Sequence, residues 1–294
     1  MFGIRPQGQR QYRGHESLIK GALAVSGLFT HLGRAVAAAV YPPVCYACGR
    51  FLDPDPEPVA PAGDAGSDPA PPAFAGLMAR FLCPDCAAAF TPIAAPFCPA
   101  CGVMFPSRET TSHRCGLCRR EPKSFAVARA TGLYDQSLMA LLRRLKYHGR
   151  VELAGPLGCL LGLSFFKWFD PAAVDLIMPV PLHPSKQRQR GFNQTWLMMR
   201  AWRGQIPAPA GPVFCHDLLV RTRATRSQTS LTRPARRANV RGAFGLTDPA
   251  RVEGRSVLLV DDVYTTGATV DECARALITA GAARVDVLTV ARVK

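Results

Sequence analysis

Residues Val257 to Thr269, VLLVDDVYTTGAT, hold the densest chemistry in the sequence. Four apolar residues read as a buried strand, and two adjacent carboxylates, Asp261 and Asp262, follow at its carboxyl edge, where open parallel sheets bind their ligands. Thr265, Thr266, Gly267, Ala268 and Thr269 then turn into a helix. Small hydroxyl residues and a glycine at a helix N-terminus present successive backbone N–H groups, which suits a phosphate monoester. Acids above such a cradle fit a sugar phosphate, the carboxylates accepting from ribose hydroxyls while the loop holds the 5′-phosphate. Neighbours in an extended strand point to opposite faces, so both acids reach one ligand only if the chain turns immediately after them. A bare acidic strand end leading into a Ser/Thr-rich cap is the bland alternative; the full run of thirteen residues favours the ligand site.

A second chemistry lies upstream. Eight of the eleven cysteines form four C-x-x-C pairs, Cys45/Cys48, Cys83/Cys86, Cys98/Cys101 and Cys115/Cys118. In a reducing compartment such pairs point to metal, and two pairs supply the four thiolates that structural Zn²⁺ prefers. Two zinc ions are therefore expected, both structural, because an all-cysteine shell leaves no open coordination position. Sequential pairing leaves 13 residues between Cys101 and Cys115 and 34 between Cys48 and Cys83; cross-braced pairing is also compatible with these spacings. The longer gap contains Asp53 to Gly76, a Pro/Ala/Gly/Asp-rich stretch that reads as a mobile low-complexity insertion.

The elements that must position these groups follow Cys118. Ser124 to Tyr134 reads as a strand, and Gln136 to Tyr147 carries Leu138, Leu141, Leu142 and Leu145 at helical spacing before Gly149. Val151 to Phe169 and Asn193 to Trp202 read as helices, with Asp175 to Val180 between them as a buried strand. Gln205 to Pro212 is a Pro/Gly connection. A helix faced by Val270, Cys273, Ala274, Leu277 and Ile278 ends at Gly281, and Arg284 to Val293 closes the chain as a strand. Strand–helix alternation with short connections predicts an α/β fold, a parallel sheet covered on both faces.

With 294 residues, 48% apolar and 19% charged, wholesale disorder is excluded. The net charge of +15 favours polyanionic partners without naming one. Residues 1–40 read as a basic segment and an amphipathic helix stopping at Pro42; the apolar stretch is broken by His31 and Arg34, which argues against a membrane span. With no cleavage pattern recognised, a cytoplasmic location is expected. Lys186, Arg188, Arg190, Arg200 and Arg203 stand in an acid-free stretch, and a second runs from Arg221 to Arg241. Both suit anion capture beside a polyphosphate site.

The sequence resembles the phosphoribosyltransferase superfamily in its VDDVYTTGAT loop and, more narrowly, the ComF family of competence-protein-F-like chains. That likeness runs from Tyr41 to Lys294 and includes LKYHGR at Leu145 to Arg150, PVPLHP at Pro179 to Pro184, RQRGFNQ at Arg188 to Gln194 and the stretch from Arg226 to Phe244. It implies a type I phosphoribosyltransferase-like sheet at 123–294 and a double zinc ribbon at 41–122, with the insertion at 53–76. It also implies a site for 5-phosphoribosyl-1-pyrophosphate (PRPP) with Mg²⁺. Asp261 and Asp262 would orient the ribose, Thr265 to Thr269 would hold its phosphate, and Val180, Pro181 and Leu182 would bind pyrophosphate. A cis X-Pro bond is one way the prolines there would stiffen the loop. Arg226 to Thr229 falls where the superfamily carries a hood.

Purine-salvage members of the hypoxanthine/guanine type carry a carboxylate at the first loop position; Thr265 stands here, which argues against a 6-oxopurine acceptor. Three readings follow: a transferase acting on PRPP and an unidentified acceptor, a single-stranded-DNA-binding competence factor working with other DNA-uptake proteins, and a PRPP-sensing regulator. Phe192, Trp196 and Trp202 sit at helix-core spacing, which leaves few stacking platforms for single strands. His148 and His183 read as structural or solvated.

Overall fold

A computed structural model describes residues 42–53, 71–106, 110–206, 211–225 and 232–294. The helix expected before Pro42, most of the low-complexity insertion and the Arg226–Thr229 hood lie outside the described residues.

Five strands form one parallel sheet: β1 (Ala128–Leu133), β2 (Leu176–Pro179), β3 (Val213–Phe214), β6 (Ser256–Tyr264) and β7 (Arg284–Arg292), in the order β1-β7-β6-β2-β3. An antiparallel pair, β4 (Leu219–Arg221) and β5 (Phe244–Leu246), stands apart and was not foreseen in the sequence. The central β6 is flanked by strands on both sides, which is why its first half is continuously apolar; Val257 to Val260 are all buried.

One face of the sheet carries α4 (Gln136–Tyr147), α5 (Ala154–Trp168) and α7 (Gln194–Arg203). The leucines read at helical spacing, Leu138, Leu141, Leu142 and Leu145, are fully buried there. The other face carries α9 (Ala268–Thr279), with Val270, Cys273, Ala274 and Leu277 buried against the sheet. Two short helices line the route to the site. They are α6 (Pro184–Arg190), which ends in left-handed Gly191, and α8 (Arg233–Val240). Asn193 caps α7 by accepting from the Thr195 and Trp196 N–H groups, and it also donates to the Val180 carbonyl.

Three further short helices, α1 (Pro71–Met78), α2 (Pro84–Ala88) and α3 (Gly116–Arg120), accompany the cysteines. Helix α1 corrects the reading of the insertion, which overran into ordered chain. Phe74 and Met78, four residues apart and so on one helix face, are fully buried, and Phe74 stacks on Phe90 at 4.0 Å. A second correction concerns the 179–184 prolines. The cis bond among the described residues is Ala95–Pro96, whereas Pro179 stays in the ladder opposite Val260 and the Val180 N–H donates to the Val260 carbonyl. The X-Pro bonds of 179–184 are trans. Among the described residues no helix is long and apolar enough to cross a membrane.

Candidate functional site

Strand β6 does not turn after its acids. It continues through Tyr264, with Asp261 opposite Thr289 and Tyr264 opposite Arg292, because β7 is equally long and keeps the ladder paired. The expected immediate turn is corrected, yet both carboxylates line one cleft at the carboxyl edge of the sheet. Asp262 is buried, ion-paired to Lys146 Nζ at 2.8 Å and hydrogen-bonded by Gln194 Nε2 at 2.6 Å. Burial alone would lower the Lys146 pKa, but the Asp262 charge outweighs it and raises the ammonium. Asp261 is the contrast. Its carboxylate accepts the Asp262 backbone N–H at 2.8 Å, and among the described ion pairs none engages it. Burial, then the neighbouring Asp262 charge, pushes it up to about 7.

The loop after β6 closes the cleft floor. Gly267, at φ 77°, caps α9 in the left-handed region, where a Cβ would be strained and would overlap the Tyr264 hydroxyl. Thr265, Gly267, Ala268 and Thr269 line the cleft; Thr266 is not among its lining residues, and its hydroxyl accepts the Ala268 N–H at 3.4 Å. Val180, Pro181 and Leu182 form another wall.

Cations dominate what remains: Lys146, Lys186, Arg190, Arg221 and Arg236 all line the same cleft. Burial lowers the Lys186 pKa, and Arg221, Arg190 and Lys146 lower it further by repulsion. A cluster of mutually repelling cations in partly dry surroundings is relieved by an anion. Arg190 donates to Gln194, which donates to Asp262, so the cation wall and the acid are tied by one amide. The exposed ring of Tyr147 lies beneath Arg190, 5.5 Å away, at the cleft mouth.

Lys186 and Arg190 come from one acid-free stretch of the sequence and Arg221 and Arg236 from the other, whereas the sequence alone assigns Lys146 and Gln194 no role. The signal for Lys146 was present. It stands four residues after Leu142 and one after Leu145, on the border of the buried helix face. Other basic residues are committed elsewhere: Arg237 pairs with Glu121, and Arg223 donates to the Asn239 and Arg241 carbonyls. His183 caps α6, its ring accepting the Ser185 N–H, and takes no place among the cleft-lining residues.

The eight paired cysteines gather as two groups, Cys45, Cys48, Cys83 and Cys86, and Cys98, Cys101, Cys115 and Cys118, each with its sulfurs within 4.8 Å of one another. The pairing is sequential, not cross-braced. Sulfur pairs at 3.7 Å (Cys48, Cys83) and 3.8 Å (Cys101, Cys115) match the edge of a tetrahedron with metal–sulfur bonds of about 2.3 Å. Burial works upward on Cys45 and Cys98, but backbone N–H donors outweigh it and hold these thiols at about 6 and about 7. That donor set fits a divalent metal ion. Gly102 allows the second group to sit against β1, since a Cβ there would come 2.8 Å from the Ala128 carbonyl oxygen.

Comparison with known proteins adds an independent line. A family model, the phosphoribosyl transferase domain, matches residues 216–294. DNA utilization protein YhgH of Escherichia coli O157:H7 is 35% identical over 199 residues, which cover 66% of this chain and 83% of that protein. Competence protein F of Haemophilus influenzae is 28% identical over 201 residues, 67% and 85% of the two chains. Competence protein ComFC of Bacillus subtilis is 27% identical over 205 residues, 69% and 80%.

Proposed function

Because the chain belongs to the ComF family of the phosphoribosyltransferase superfamily, we propose that the cleft beside Asp261 binds PRPP together with Mg²⁺. The observation that carries this reading is the convergence of five cations, two carboxylates and a left-handed glycine at a helix N-terminus on one cleft. PRPP matches that inventory: a 5′-phosphate for the 265–269 loop, ribose hydroxyls for the acids, and a pyrophosphate for Lys186, Arg190 and Arg221 beside Val180 to Leu182. Asp261, with no cation paired to it among the described residues, is the group suited to the ribose; Asp262, held by Lys146 and Gln194, supports it from behind. Bound Mg²⁺ would neutralise pyrophosphate charge and make it a better leaving group.

The proposed reaction displaces pyrophosphate from C1 of the ribose by a nucleophile of the acceptor, forming the C1–acceptor bond as the C1–oxygen bond breaks. A sensor that binds without turnover is the second form of the same reading. Two relatives are named for competence and one for DNA utilization, and we place the activity of this chain in DNA uptake on that ground. The +15 charge supports weak, salt-sensitive contact with single-stranded DNA, although Arg236 lines the cleft and Arg237 is ion-paired, so neither belongs to an open basic face. The two four-cysteine groups we assign to structural zinc, one ion each.

The test is equilibrium binding of PRPP with Mg²⁺ to wild type and to Gly267→Val, which crowds the phosphate loop. Binding to the first and not to the second supports the site; equal binding to both rejects it. Pyrophosphate release on adding candidate acceptors then separates transferase from sensor.

A further inference from the structure

One buried cation stands outside the cleft and has no carboxylate partner among the described residues. Arg292, at the end of β7, is 7% exposed, and among the described ion pairs none engages it. Its guanidinium donates to the Cys101 carbonyl and, at 3.7 Å, to the Cys101 sulfur of the second four-cysteine group. The same guanidinium lies 4.6 Å over the ring of Tyr264, its register partner on β6. Tyr264 is 4% exposed, braced edge-on by Phe125, and its hydroxyl fills the space that a side chain at Gly267 would need. Two residues therefore connect a metal-binding sulfur to the turn that opens α9.

We propose that Arg292 and Tyr264 form a strut by which the second four-cysteine group, when it holds metal, fixes the phosphate loop. The physical basis is charge and packing together. Four thiolates around one divalent ion keep a net negative charge, which balances a buried guanidinium; without the ion that balance weakens and the four sulfurs are no longer fixed together, so the Cys101 carbonyl and sulfur that anchor Arg292 lose their set positions. An uncompensated buried guanidinium moves toward water, because desolvating an unpaired charge is costly. Arg292 has no slack to do so in place, since its Nε already lacks a partner and both arms are spent on Cys101. Its departure uncovers one face of the Tyr264 ring, and the hydroxyl that backs Gly267 shifts with it. Arg292 and Tyr264 are thus positioning residues. They act through Gly267 on a loop whose ligand rests on the PRPP reading.

Hydrogen exchange of the full chain, followed by mass spectrometry with and without chelator, tests the strut independently of any ligand. Chelation is expected to speed exchange at residues 263–270 about tenfold; it also empties the first group, whose cysteines share the core of α5, so exchange of α5 is followed separately. Arg292→Gln, with both metals still bound by analysis, should show the same fast loop, and chelation should add nothing further. Arg292→Lys, which restores the charge with fewer donors, should recover part of the protection. Ribose 5-phosphate affinity should fall in step with loop protection. Loop exchange that ignores both the metal and Arg292 overturns the strut. Should chelation also loosen α5, metal-loaded Tyr264→Phe decides: it keeps the ring and removes the hydroxyl, so a faster loop supports the strut and an unchanged loop overturns it. If metal-loaded wild type binds neither ribose 5-phosphate nor PRPP, the ligand reading fails while the exchange result still judges the strut.

Discussion

The two four-cysteine groups are alike in chemistry and unlike in attachment. Cys45, Cys83 and Cys86 belong to the core on the α4/α5/α7 face, where Ser137 at the start of α4 donates to the Cys86 carbonyl. Cys98, Cys101 and Cys118 belong to the opposite core with α9, and Cys101 is held by Arg292 of the sheet itself. The first group meets α4 at one end, and Lys146 lies at the other, nine residues or about 13 Å along the helix. The second is separated from the loop at Gly267 by one guanidinium and one ring. Identical cysteine sets are therefore attached differently: the first meets the helix that carries Lys146, and the second meets Arg292 of β7.

The largest expected effect falls on the first face. Lys146→Met keeps the stem of the side chain but leaves Asp262 buried without its cation. Breaking a buried pair costs about 3–5 kcal/mol, so chemical denaturation should show a loss of that order. A change under about 1 kcal/mol would mean that the pair is solvated in solution.

Next comes the comparison of the two groups. Cys83→Ala and Cys118→Ala should each lose about one zinc per chain, since each removes one ligand of four. PRPP affinity should drop at least about tenfold more in Cys118→Ala, because only that group touches the route to Gly267. Equal losses measured by calorimetry would erase the distinction between the faces.

A smaller effect comes from pH. The folded Asp261 carboxyl is raised from 3.8 to about 7, so between those values the folded state binds the extra proton. Its contribution to stability therefore falls as pH rises from about 4 to about 7. A ligand whose hydroxyls donate to the carboxylate favours the ionised form. PRPP binding near pH 6.5 should release a proton to the buffer, visible as a dependence of the calorimetric heat on buffer ionisation enthalpy. The smallest effect belongs to Arg237→Ala. Its pair with Glu121 is roughly one-third exposed on both sides, so stability should change by less than about 1 kcal/mol, as exposed pairs do, and PRPP affinity should hold. Arg236→Ala, from the same helix but lining the cleft, should weaken PRPP binding.

Much of this arrangement was legible because it is local. Apolar runs marked β2, β6 and β7, helical spacing marked α4 and α9, and the cysteine spacing marked both four-cysteine groups. The pairing of those groups was not legible, since spacing alone allows two answers. Lys146 and Gln194 escaped notice because they reach Asp262 from elements 116 and 68 residues away, contacts that only the fold creates. The reach of β6 past its acids was missed for a related reason: the strand's length is set by its partner β7, not by its own composition. Asp262 is consequently buried and ion-paired to Lys146, so it bears on stability as well as on the cleft. Removing both acids would therefore confuse loss of the ligand with loss of the fold.

Asp261 avoids that confusion, having no ion pair to lose among the described residues. Titration of PRPP with Mg²⁺ into Asp261→Asn, beside wild type, by calorimetry is the most direct test of the site. The predicted result is an affinity at least about a hundredfold weaker, with a melting temperature no lower than wild type because the unfavourable buried charge is gone. Wild-type affinity in Asp261→Asn would contradict the assignment of this cleft to PRPP.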